Sequence, residues 1–173
     1  MSETNKNIND FLQNLNSKNN IINTIFQPVI FDNNYEILTF EISNYPKIIR
    51  EKDPTFHTII SPIYKVNFLS WKIIFHAWDK INTRNVISLL LQLEEGKPGK
   101  VYDFEFYFEI VNKYGNNLVL PLMKGEFKPF ESINGYTNVI NLYKNPEYVQ
   151  DNGNVFLKCY IRPYNIEEYL LNI

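Results

Sequence analysis

The segment Val101–Asn112, "VYDFEFYFEIVN", alternates between apolar and polar side chains for longer than any other part of this chain. A period of two places successive side chains on opposite faces of a strand, so Phe104, Phe106, Phe108 and Ile110 share one face. Asp103, Glu105 and Glu109 fall on the other, the expected pattern for a half-exposed antiparallel strand with a solvated acidic stripe. A chain committed to this pattern needs a second apolar layer against its phenylalanine row.

The remaining sequence supplies that layer. Aromatic residues make up 16% of the 173 positions, and they suit pleated, half-buried surfaces better than helices. "YEILTFEI", "IYKVN", "SWKIIFHAW", "VISLLLQL", "LVLPL", "GEFKPF", "YTNVINL" and "VFLKCYIR" read as further strands. Proline pushes "LVLPL" and "GEFKPF" toward a sheet edge. Trp71, Ile73, Phe75 and Ala77 share a face and are expected to be deeply buried. "KYGNN" and "ESING" carry turn signals. No helix is long enough for a parallel crossover, so the expected fold is all-β, an antiparallel, roughly eight-stranded β-sandwich across 34–164.

The first 33 residues differ. They are rich in asparagine, with Ile8, Phe11, Leu12 and Leu15, then Ile21, Ile22, Ile25 and Phe26, at helical spacing until Pro28. An N-terminal arm of short helices or flexible chain is expected over 1–33, and a tail with one helical turn over 165–173.

Charge and cysteine content narrow the function. A net charge of −2 leaves no overall attraction for nucleic acid or acidic membranes. Cys159 is the single cysteine, so no internal disulfide can form. "MSETNKNIND" lacks the basic start and apolar centre of a secretory leader, and a cytoplasmic or nuclear location is expected.

Catalytic arrangements fail on spacing. Cys159 sits in phase with Leu157 and Ile161 and reads as core, whereas a reactive thiolate needs exposure and a positive neighbourhood. His57, His76 and Cys159 lack metal-ligand spacing, and no cofactor is expected. "GKPGK" is two residues short of a phosphate loop and reads as a hairpin loop. Asp103, Glu105 and Glu109 could in principle supply a glycosidase-like pair, but strand alternation already accounts for them. Tyr102, Tyr107 and Tyr136 keep a sugar-stacking surface open.

Seven pieces in order then resemble one family. "TFEISNY" (39–45) is similar to the opening strand of the MATH domain, the meprin and TRAF homology fold. "SPIYKV" and "LSWKIIF" resemble its S-P-x-F-x-V and x-W-x-I strands, and "VISLLLQL" and "YDFEFYFEIVNK" resemble two central strands. "SINGYTNVINL" and "NGNVFLKCYI" occupy the places of the last two motifs. The resemblance implies a non-enzymatic module whose surface groove takes an extended peptide of a partner protein by strand addition. It implies a groove at Leu90, Phe106, Phe127, Asn134, Gly135 and Tyr136. Asn134 stands where peptide-binding members usually carry tryptophan, and Leu90 where adaptor members often carry tyrosine. A protein-interaction module that recognises short peptide segments, with a substrate adaptor in ubiquitin pathways as one form of it, is the leading expectation. The alternatives are the substrate-recruiting module of a ubiquitin-specific protease and a carbohydrate-binding sandwich. The trimerising coiled coil of TRAF proteins has no counterpart here, so a monomer is expected.

Overall fold

The computed structural model describes residues 34–48, 58–66, 68–78 and 86–164. The predicted helical arm and the C-terminal turn lie outside these residues. Ten strands, one short α-helix and a 3-10 turn (Pro146–Tyr148) are described: β1 (Glu36–Ile42), α1 (Tyr45–Ile48), β2 (Thr58–Ile60), β3 (Tyr64–Val66), β4 (Leu69–Trp78), β5 (Val86–Glu95), β6 (Tyr102–Ile110), β7 (Leu118–Val119), β8 (Met123–Phe127), β9 (Ile133–Asn141) and β10 (Val155–Pro163).

All pairings are antiparallel and build two sheets. Sheet A runs β1-β10-β6, with β7 and β8 both on the far side of β6. Sheet B runs β4-β5-β9, with β2 and β3 both on the outer side of β4. The fold is therefore all-β, as the alternation predicts.

The two doubled edges share one cause. Proline has no N–H to donate to a ladder, so each proline splits an edge strand in two. At Pro62 the preceding serine covers the gap. The Ser61 main-chain N–H donates to the Ile73 carbonyl at 2.9 Å, and its hydroxyl accepts the Ile73 N–H at 2.9 Å. At Pro121 the ladder holds until Leu120, whose N–H donates to the Phe108 carbonyl at 2.8 Å. Strand β2 has no counterpart in the sequence reading.

The inner faces of both sheets form one core. Trp71, Ile73 and Phe75 of β4 are fully buried with Phe104, Phe106, Phe108 and Ile110 of β6. The Trp71 ring meets Phe104 at 4.8 Å and Phe127 at 4.9 Å, edge to face in both cases. Such pairs add roughly 0.5–1.5 kcal/mol each beyond the apolar area they bury. Cys159 lies in the same core with its thiol pushed well above its ordinary range by burial, far from nucleophilic character.

One predicted turn moves. "ESING" is read as a turn, but β9 already begins at Ile133. The chain reverses one step earlier, where the Glu131 and Ser132 N–H groups both donate to the Lys128 carbonyl. Gly135 serves a different purpose, because a β-carbon there would lie 2.2 Å from the Leu89 carbonyl oxygen. Close approach of β5, not a bend, demands glycine at this position.

Candidate functional site

Strand β9 ends sheet B and, among the described residues, pairs only with β5. No other described strand lies along its outer side, and an edge strand of this kind is what strand addition uses. A register shift between Ile87 and Leu89 marks a bulge, and Asn138 opposite it adopts a left-handed backbone (φ 54°) that asparagine tolerates. Beyond it Val139 and Ile140 are half-buried along the edge.

The six residues implied by the family resemblance do not wall one groove. Phe106 and Phe127 have no exposed surface, and their rings lie 5.8 Å apart inside the shared core. Tyr136 packs against Phe106 at 6.2 Å, is only 9% exposed, and donates its hydroxyl hydrogen to the Pro121 carbonyl. None of the three presents a face to a ligand. They face inward because β6, β8 and β9 each turn this phase toward the opposing sheet. Leu90 and Gly135 are partners across β5 and β9. Leu90 alternates with the core residues Leu89 and Leu91, so it points to the other side of sheet B, where it is also buried. Asn134 lies at the seam between the sheets, its side-chain amide donating to the Glu126 carbonyl of β8 at 3.1 Å.

The acidic stripe of β6 requires a correction. Asp103 is exposed as expected, but Glu105 and Glu109 are only 4% and 5% exposed, and Tyr107 between them is fully buried. The reason is the neighbouring strand. Antiparallel register sets Glu105 opposite Arg162, Tyr107 opposite Tyr160 and Glu109 opposite Lys158. Glu105 accepts from the Arg162 guanidinium and from the Tyr35 hydroxyl at 2.9 Å. Glu109 accepts from Lys158 at 3.1 Å, the Tyr160 hydroxyl at 2.6 Å and the Asn117 amide. The Tyr107 and Tyr160 rings stack at 4.5 Å, and the Arg162 guanidinium lies 4.4 Å over the Tyr35 ring. Sequence reading missed this cluster, although E-x-Y-x-E in β6 and K-x-Y-x-R in β10 are complementary when laid antiparallel.

At Glu109 the surroundings favour the charged form. Burial alone would raise the Glu109 carboxyl, but hydrogen bonds from Tyr160, Lys158 and Asn117 outweigh it and hold the group below the usual glutamate value. A general acid needs the opposite shift. Four residues of strand also separate Glu105 from Glu109 by about 13 Å of backbone, and each is held over its own cross-strand partner. The sugar-stacking residues are likewise occupied: Tyr102, Tyr107 and Tyr136 are all buried.

No described helix is long and apolar enough to cross a membrane. Comparison with known proteins finds no family model that matches the sequence and no curated protein that matches it.

Proposed function

We propose that the chain is a protein-interaction module of the MATH kind that takes an extended segment of a partner protein along the outer edge of β9. The place of β9 at the edge of sheet B carries this reading. A peptide laid beside β9 extends sheet B by one strand, and its main-chain hydrogen bonds supply affinity with little dependence on sequence. The two proline-broken pairs, β2 with β3 and β7 with β8, count as single strands in this reading, giving eight strands in two sheets of four. That count agrees with the sandwich the resemblance implies.

The module acts without catalysis and as a monomer in a cytoplasmic or nuclear setting. Its specificity differs from that of members with an aromatic groove, because Phe106, Phe127 and Tyr136 are committed to the core. Aromatic anchors usually dominate interface energy. With none of these three exposed, selectivity falls to the half-buried Val139 and Ile140 and to the bulge at Asn138.

Peptide display against the purified chain, followed by hydrogen exchange and an N-methyl scan of a selected peptide, tests the reading. Strand addition requires slower exchange within 133–141, and loss of binding on N-methylation at every second peptide residue. Binding that tolerates N-methylation at every position, or that protects a different segment, would exclude it.

A further inference from the structure

Three loops meet at one end of the two sheets: the β3–β4 turn carrying Phe68, the β5–β6 loop 96–101 and the β8–β9 loop 128–132. They brace one another. A β-carbon on Gly96 would lie 2.9 Å from the Pro129 ring, 3.0 Å from the Tyr102 ring and 3.2 Å from the Leu69 side chain. The Phe130 N–H donates to the Leu93 carbonyl at 3.0 Å, and the Lys97 N–H to the Tyr102 hydroxyl at 2.9 Å.

From this braced base the chain pushes apolar side chains into solvent. Phe68 is 89% exposed, Phe130 61% and Val101 42%. Phe68 and Phe130 also hold left-handed backbone conformations, with φ of 66° and 64°. That region disfavours a bulky residue, and an exposed ring loses the burial that would compensate. Neither cost is recovered by packing of these two rings within the described chain. A hollow of about 650 Å³ opens beside Phe68, with Leu69 and Tyr102 among its apolar lining and Glu95 and Lys97 among its polar lining.

Charge at the tips departs from the whole. The β5–β6 and β8–β9 loops carry Lys97, Lys100 and Lys128 against Glu131, with Glu95 on the rim of the same hollow, while the full chain is net negative at −2. The loop tips themselves are therefore richer in lysine than in carboxylate.

We propose that this end is a docking face for an anionic lipid surface. Phe68, Phe130 and Val101 enter the headgroup–acyl boundary, and the three lysines lie against acidic headgroups. Ring tips that protrude from separate loops suit a soft interface, where aromatic side chains are favoured at headgroup depth. Lysines near an anionic bilayer add attraction that falls away within a Debye length. The face is built from loop tips, one of which leads into β9, while the β9 edge runs on from Ile133 to Asn141.

Sedimentation of the full chain with vesicles tests this. The probes are phosphatidylcholine alone and phosphatidylcholine with about 30% phosphatidylserine, a composition chosen for negative surface potential. The wild type is expected to pellet with the anionic vesicles only, and to be released by salt at about 0.5 M. Phe68→Asn with Phe130→Asn removes both rings in a residue that accepts left-handed backbone, so the fold is kept, and binding should fall at least about tenfold. Lys97→Glu with Lys128→Glu should lower binding by about fivefold or more per site. Circular dichroism melting checks that each variant is folded. A wild type that stays in the supernatant overturns the proposal, as does a folded ring or charge variant that pellets like wild type.

Discussion

The Asn134 side chain crosses from one sheet to the other, donating its amide to the Glu126 carbonyl at 3.1 Å. This bond joins β9 to β8 at the edge where the family resemblance implies an open aromatic groove. The seam is tight, since a β-carbon on Gly125 would lie 3.1 Å from the same amide nitrogen.

Replacing the amide should loosen the seam. Asn134→Ala should cost about 1 kcal/mol in urea denaturation, the usual net worth of one such hydrogen bond. Asn134→Trp should cost more, because the indole loses the bond and presses on β8 at Gly125. A tryptophan variant that melts like wild type and gains a peptide ligand would show that the seam opens.

Tyr136 is a core residue with a polar end. Tyr136→Phe should cost about 0.5–1.5 kcal/mol by leaving the Pro121 carbonyl without its donor. Tyr136→Ala should cost about 3–5 kcal/mol by emptying space beside Phe106 and Phe108. Equal unfolding midpoints for wild type and the alanine variant would remove Tyr136 from the core.

The Glu109 cluster makes stability depend on pH. The folded carboxyl titrates below the ordinary glutamate value of 4.5, so its contribution is complete above that value. It is lost as pH falls through the lowered folded value. Glu109→Gln should be less stable at neutral pH and should flatten the acid limb of a stability–pH curve. A variant with an unchanged acid limb would show that the carboxylate contributes nothing there.

At the alkaline end Tyr107 acts in the opposite sense. Burial, then the Glu109 charge, pushes its phenol up to about 12. The stability it contributes is whole below the ordinary tyrosine value of 10.0 and is lost as pH rises toward 12. Phenolate absorbance followed during alkaline titration should show this ring ionising late, together with unfolding. Tyr35, Tyr45, Tyr136 and Tyr160 are pushed higher still, so Tyr107→Phe should remove one phenolate from the early part of the late phase, and an unchanged phenolate count would reassign it.

Phe68 should reverse the usual effect of losing an aromatic ring. Phe68→Asn should leave stability unchanged or raise it by up to about 1 kcal/mol, because it relieves a left-handed phenylalanine that packs on little. A drop in unfolding midpoint would mean that the ring is supported within the fold.

Several features were legible in the chain itself. Period-two alternation placed Phe104, Phe106, Phe108 and Ile110 on one face of their strand, and Trp71, Ile73 and Phe75 on one face of theirs, because a strand leaves no other option. The phase of Cys159 with Leu157 and Ile161 put it in the core. Pro121 marked the edge strand beside β6, because an amide without hydrogen cannot serve a central ladder, whereas Pro129 lies in the loop after β8.

Alternation fixes which side chains share a face but leaves open what covers each face. The β6 face carrying Glu105, Tyr107 and Glu109 became a buried ionic cluster only when β10 brought Arg162, Tyr160 and Lys158 into register, a pairing about fifty residues away in sequence. The same limit applies to Phe106, Phe127 and Tyr136. Motif likeness suggested a surface for them, and sheet packing turned all three inward. Local sequence determined strands, faces and breaks, since steric and hydrogen-bonding rules act over a few residues. Tertiary structure alone decided exposure, because it depends on which distant strand arrives and in what register.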